Sequence, residues 1–160
     1  MMNIRLICVG KLKEKYFLEA VSEYQKRLST LCKLEIMEVA EQRLPESPTL
    51  SQIKVALEKE ASEIRLKIPK GAITVAMCIE GKEISSNEMA EGLSYWAVNG
   101  NSNICFIIGG SFGLGEDIKE YASLKLSMSR MTFPHNLARV VLLEQIYRAF
   151  SILKGAKYHK

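Results

Sequence analysis

Long apolar runs are missing from this chain. No stretch of its 160 residues approaches the roughly 20 apolar residues that cross a bilayer. No membrane partner is therefore expected. Cysteine is sparse and scattered: Cys8, Cys32, Cys78 and Cys105 show no C-x-x-C spacing, and three of them lie in apolar, strand-like runs. They read as small buried hydrophobes kept reduced. A zinc site would need clustered Cys and His ligands, and the only two histidines, His135 and His159, stand far apart. No metal is expected. The phosphate-binding pattern G-x-x-x-x-G-K-[ST] is absent, as is the nucleophile pattern G-x-S-x-G. The opening Met1-Met2-Asn3-Ile4-Arg5 lacks the layout of a signal peptide, which points to the cytoplasm.

What is present describes one α/β domain spanning 1–160. Hydrophobic residues make up 48% and charged residues 25%, ordinary values for a globular protein. Strand and helix signals alternate. Ile4–Val9 is a buried strand ended by Gly10. Helical spacing runs from about Lys15 to Leu31, and Leu34 to Val39 suggests a second strand. Thr49-x-x-Gln52 and Ser85-x-x-Glu88 are capping boxes that open two further helices. Between them, Ala72 to Ile79 is a third strand. Strand four is 104–108, a short helix follows Glu116-Asp117, Leu124 to Met128 is strand five, and a last helix covers about Leu137 to Leu153. This order predicts a mainly parallel sheet with helices on both faces. Ligands then collect at the carboxyl ends of strands. Three such loops lie in the second half: 80–82, 109–115 and 129–134.

The middle loop, Gly109-Gly110-Ser111-Phe112-Gly113-Leu114-Gly115, directly follows the most apolar strand. Its glycines permit close approach of backbone to a phosphate or an adenosine-like group, although Ser111 breaks the dinucleotide pattern G-x-G-x-x-G. A plain tight turn is the other reading. Positive charge gathers beyond the loop. Residues 119–160 carry eight Lys/Arg against Glu120 and Glu144, a local +6 in a chain of net +4, so residues 1–118 sum to −2. The final helix is apolar around most of its circumference, which predicts burial against a subunit interface as well as the core. Glu144 and Arg148 form an i,i+4 pair in the favourable order. Arg139 has no such partner and is a candidate to face RNA or the site. His135 is either a capping and packing histidine or a functional one. Tyr158-His159-Lys160 is either an idle terminus or a tail that joins an aromatic, a titratable ring and a cation.

Several segments together resemble one bacterial family. They are Val9-Gly10-Lys11-Leu12-Lys13, Phe106-Ile107-Ile108-Gly109-Gly110-Ser111-x-Gly113, and Leu126-Ser127-Met128-Ser129-x-Met131-Thr132-Phe133-Pro134-His135. Arg139-Val140-x-x-x-Glu144-Gln145-x-Tyr147-Arg148-Ala149 and the terminal Tyr158-His159-Lys160 complete the set. The family is the SPOUT-class ribosomal RNA large-subunit methyltransferase H. The resemblance implies transfer of a methyl from S-adenosylmethionine, leaving S-adenosylhomocysteine, to N3 of a pseudouridine in 23S rRNA. It also implies a homodimer and a C-terminal trefoil knot, with knot and cofactor site within about 72–160. The implied cofactor contacts are Met77, Gly109, Gly110, Met128, Ser129, Arg130, Met131, Thr132 and Phe133. His159, Tyr158 and Arg139 become the catalytic candidates, and Lys160, Arg139 and His135 the RNA-contacting ones. In the family the tail reaches the partner subunit's site, and the substrate is the large subunit or the assembled ribosome. A non-catalytic RNA- or ribosome-binding module that kept the fold is the alternative, and a generic nucleotide-binding α/β enzyme a further one.

Overall fold

The computed structural model describes residues 1–160. Five strands alternate with five helices: β1 (Asn3–Val9), α1 (Lys15–Leu28), β2 (Lys33–Val39), α2 (Leu50–Lys67), β3 (Ile73–Glu83), α3 (Ser86–Val98), β4 (Asn103–Ile108), α4 (Glu116–Tyr121), β5 (Leu124–Ser127) and α5 (His135–Leu153). The strands form one sheet in the order β2-β1-β4-β3-β5, and every pair is parallel.

Side-chain alternation explains why the strands read as unbroken apolar runs. Ile4, Leu6 and Cys8 of β1 and Ile104, Phe106 and Ile108 of β4 enter one core, with Leu28 of α1, Leu93 of α3 and Leu143 and Ile146 of α5. Ile7, Val9, Cys105 and Ile107 point the other way, onto Ala61 and Ile64 of α2 and Ile118 of α4. A sheet covered on both faces needs apolar residues at successive positions. The cysteines behave accordingly. Burial pushes the thiols of Cys8 and Cys105 up to about 12 and that of Cys32 to about 11, and no disulfide forms.

Both capping boxes close: Thr49 accepts the Gln52 N–H, Ser85 accepts the Glu88 N–H, and each N3 side chain returns the bond. The helix expected to reach Leu31 stops at Leu28, where the amides of Leu31 and Cys32 both turn back to the Leu28 carbonyl.

The third strand departs from expectation in a way that matters. The 80–82 segment is not a loop at a strand end. β3 continues to Glu83, and the register against β5 jumps between Met77 and Lys82, both of which pair with Leu126. The intervening residues form a bulge. Gly81 lies directly on the backbone of Leu126, where a Cβ would meet the Leu126 carbonyl carbon at 2.5 Å. Gly81→Ala therefore must displace the strand. A loss of about 1–3 kcal/mol is expected from such overpacking, measurable as a lowered midpoint in urea unfolding. A variant as stable as the parent would contradict the bulge geometry.

Candidate active site

The bulge, the glycine loop and the β5–α5 connection meet at the carboxyl edge of the sheet and enclose a cavity of about 640 Å³. Its walls are Met77 to Glu80 of β3, residues 108–114, Lys119, Ser127 to Ser129, Met131 to His135, and Ala138 of α5. The volume suits a small-molecule ligand. These are the three regions marked out from sequence.

The glycine loop folds on itself. Gly110 and Gly113 form an isolated antiparallel bridge, with the Gly113 N–H donating to the Gly110 carbonyl at 3.0 Å. A side chain on Gly109 would strike the Gly113 backbone at 2.4 Å. Gly113 has φ +75°, the left-handed region that favours glycine. From outside, Glu41 anchors the loop: its Oε1 accepts the Ser111 N–H at 2.8 Å, and a Cβ on Gly110 would meet that oxygen at 2.7 Å. Glu41 was not singled out from sequence. It lies after β2 in a stretch with no motif, and only the fold brings it to Ser111.

The β5–α5 connection offers the opposite wall. The backbone of residues 128–133 makes no backbone–backbone hydrogen bond. Inside the protein, Ser129 Oγ takes the Met131 N–H at 3.0 Å, and the Ser129 carbonyl takes Ser127 Oγ at 2.9 Å. The remaining amides and carbonyls are free for a heterocycle edge. With Met77, Ile108, Leu114, Met128 and Phe133 beside them, they fit the adenosine part of S-adenosylmethionine: apolar surface for the base and backbone donors and acceptors for its edge.

The expected cofactor contacts Met77, Gly109, Gly110, Met128, Ser129, Met131, Thr132 and Phe133 all line this cavity. Arg130 does not. Its side chain is 93% exposed and stands 3.9 Å from Glu83. His135 is on the rim, its ring against Gly10, where a Cβ would lie 3.5 Å from Nε2.

Arg139 differs most from expectation. It is buried, with Nη1 2.8 Å from Glu38 Oε2 and Nη2 donating to the Gly10 carbonyl at 3.1 Å. The same Glu38 oxygen accepts the Leu12 N–H at 3.0 Å. Arg139 thus ties α5 to the ends of β1 and β2. It is enclosed away from phosphate and outside the cavity wall. Its sequence signal was misread because its carboxylate partner is 101 positions away.

The tail folds back onto the middle of α5. Glu144 Oε1 accepts from Arg148 Nε at 3.0 Å, Arg148 Nη2 at 2.5 Å and the Tyr158 hydroxyl at 3.1 Å. Arg148 lies 4.7 Å over the Tyr158 ring, Tyr147 meets that ring edge-on at 4.8 Å, and His159 Nδ1 is 3.4 Å from Arg148 Nη1. Burial, then the bond to Glu144, pushes the Tyr158 phenol up to about 12. Lys160 is exposed.

The sequence profile described as "Predicted SPOUT methyltransferase" matches residues 2–159. The chain belongs to the SPOUT methyltransferase family. Proteins named ribosomal RNA large subunit methyltransferase H are similar throughout. Those of Clostridioides difficile and Bacillus pumilus are each 47% identical over 159 residues, 99% of this chain and 100% of theirs. The one from Leuconostoc mesenteroides is 48% identical over the same span. Among solved structures, a tRNA methyltransferase from Aquifex aeolicus superposes with a TM-score of 0.57 at 13% identity, covering 99% of this chain and 73% of that one. The SPOUT fold puts the cavity, the glycine loop and α5 of this chain in one frame.

Two outcomes follow from the site's anchors. Arg139→Met leaves Glu38 without its cation. The expected cost is about 2–3 kcal/mol, less than the roughly 3–5 kcal/mol of a fully buried pair because Glu38 can rehydrate; chemical denaturation measures it. Tyr158 is favoured neutral in the fold, so its contribution is complete below pH 10 and is lost as pH rises through about 12. The stability difference between the parent and Tyr158→Phe should shrink over that window, and a difference constant to pH 12 would contradict the packing described.

Proposed function

We propose that this protein methylates N3 of a pseudouridine in the 23S rRNA of the large ribosomal subunit, in the cytoplasm. It works as a homodimer in which each tail completes the partner's site. The full-length similarity to ribosomal RNA large subunit methyltransferases H supports the reaction. The observation that carries the arrangement is where the tail docks on α5. The cavity touches the first turn, at His135 and Ala138, and the tail packs on Glu144, Tyr147 and Arg148. Ala138 and Arg148 are ten residues apart, about 15 Å at the α-helical rise. Docked there, neither Tyr158 nor His159 lines the cavity of its own chain. A second copy laid antiparallel along α5 brings each tail to the opposite cavity. Leu137 is exposed and Val141 and Ile152 half-buried, so this helix offers apolar surface for such packing. No helix is long and apolar enough to cross a membrane. The trefoil knot implied by the family belongs to the same reading.

The cofactor supplies an activated methyl on a sulfonium. The chain's own residues do the rest. Met77, Gly109, Gly110, Met128, Ser129 and residues 131–133 would hold it in an apolar recess and keep water out. N3 of a pseudouridine carries a proton that must leave as the N–CH3 bond forms. His159 is the base or base-orienting group: while Arg148 Nη1 donates to Nδ1 the neutral ring presents an Nε2–H that can orient the substrate, and to act as base it must free Nδ1 from Arg148. Tyr158, neutral at working pH, can stack or donate but cannot act as base. Lys160 and His135 meet phosphate or the developing anion. Arg139 holds the frame.

Labelled methyl transfer to large subunits and assembled ribosomes, with mapping of the modified base, tests the reaction. Label in a base other than a 23S pseudouridine, or none, refutes it. A mixed dimer tests the arrangement. His159→Ala leaves the cavity intact, and Met128→Arg spoils the cavity but leaves the tail. Each homodimer should lose turnover by about 100-fold or more, the usual scale of acid–base assistance. The mixed dimer of the two should regain roughly half the parent rate. If each tail served its own cavity, the mixed dimer would stay dead.

A further inference from the structure

The cavity wall carries one lysine and one carboxylate, and the two are paired. Lys119 Nζ lies 2.5 Å from Glu80 Oε1 and 3.7 Å from Glu116 Oε1. The other lining side chains are apolar, hydroxyl or thiol groups, apart from the His135 ring. Neither Lys119 nor Glu80 belongs to the contacts implied by the family resemblance.

Each reaches the cavity for a structural reason. Glu80 sits in the bulge, where β3 leaves and rejoins Leu126 and so turns a charged residue toward the recess. Lys119 sits in α4, directly after the glycine loop, with its side chain only 16% exposed. A pair half open to solvent adds little to stability, so stability alone does not explain a charged pair in an otherwise uncharged wall. A ligand end bearing one carboxylate and one ammonium matches it group for group. The amino-acid end of S-adenosylmethionine is such a zwitterion.

We infer that Lys119 and Glu80 form the subsite for this α-amino-acid end, Lys119 donating to the carboxylate and Glu80 accepting from the ammonium. The inference rests on the cavity being the cofactor site. The two groups are preset for these roles. Burial works against the Lys119 charge, but the contacts with Glu80 and Glu116 outweigh it and raise its pKa, so the ammonium persists. Glu80 is held below the usual carboxylate range, first by its hydrogen bond from Lys119, and stays ionised. Glu116 gives Lys119 a second partner when the ligand's ammonium engages Glu80. Charge-assisted hydrogen bonds in a recess are the strong kind.

Calorimetric binding with three probes tests this: S-adenosylmethionine, decarboxylated S-adenosylmethionine, which lacks only the carboxylate, and 5′-methylthioadenosine, which lacks both the amino-acid end and the sulfonium charge. The parent protein should bind the first on the order of 10-fold or more tighter than the second. Lys119→Met should erase that margin and leave the other two probes within about twofold. Glu80→Gln should weaken both amine-bearing probes by a similar factor and spare methylthioadenosine. Equal loss for all three probes in Lys119→Met would show a merely structural lysine and overturn the inference. So would a parent protein that binds the first two probes equally, a result that needs no variant to fold. If the parent binds none of the three, the cofactor reading of the cavity fails and takes the inference with it.

Discussion

The register break in β3 is the constraint on which the rest of the molecule depends. Met77 and Lys82 both pair with Leu126, so the four residues between them must leave the sheet. Gly81 allows this because its missing side chain lets the bulge lie on the β5 backbone. The sheet is otherwise sealed by helices on both faces, and chemistry is confined to its carboxyl edge. The bulge opens that edge. It gives the cavity its β3 wall and turns Glu80 inward.

The second organising element is α5, which serves the site at its first turn and again at its middle. Its first turn supplies His135 and Ala138 to the cavity, and its later turns supply Glu144 and Arg148 as a dock for the tail. Arg139 stands between these tasks. By bonding Glu38 and the Gly10 carbonyl it locks α5 against the ends of β1 and β2. That lock also sets His135 against Gly10, beside the Glu41 that holds the glycine loop. The two corners of the site therefore move together or not at all. A methyl donor that must be aligned within tight limits benefits from such rigidity.

Much of this was legible in the residues. The unbroken apolar runs of β1 and β4, the two capping boxes and the apolar circumference of α5 are local patterns, and local patterns survive in sequence. So were the glycine loop and the 128–133 connection as cavity walls, because close backbone approach leaves glycines behind. The errors share a cause. The 80–82 segment has the composition of a loop, yet it is a bulge inside β3, which resumes pairing with β5 at Lys82 and Glu83. Arg139 looked unpaired because only neighbours within one helix turn were considered, and its true partner is Glu38. Arg130 shares the cavity segment but points away from it.

The sequence by itself determined the alternating α/β order, the two-sided burial of the sheet and the segments that surround a ligand, since each follows from spacing within about twenty residues. Only the tertiary structure decided which partners these carboxylates meet. Glu41 with the Ser111 amide, Glu38 with Arg139 and Glu80 with Lys119 are pairs separated by 39 to 101 positions. Nothing local marks them, because a polar contact is specified by distance in space and not by spacing along the chain. The placement of the tail is of the same kind. Contacts with Glu144, Tyr147 and Arg148 hold Tyr158 and His159 on the middle of α5, outside the lining of their own cavity, and that separation turns a catalytic tail into an argument for a second copy of the chain.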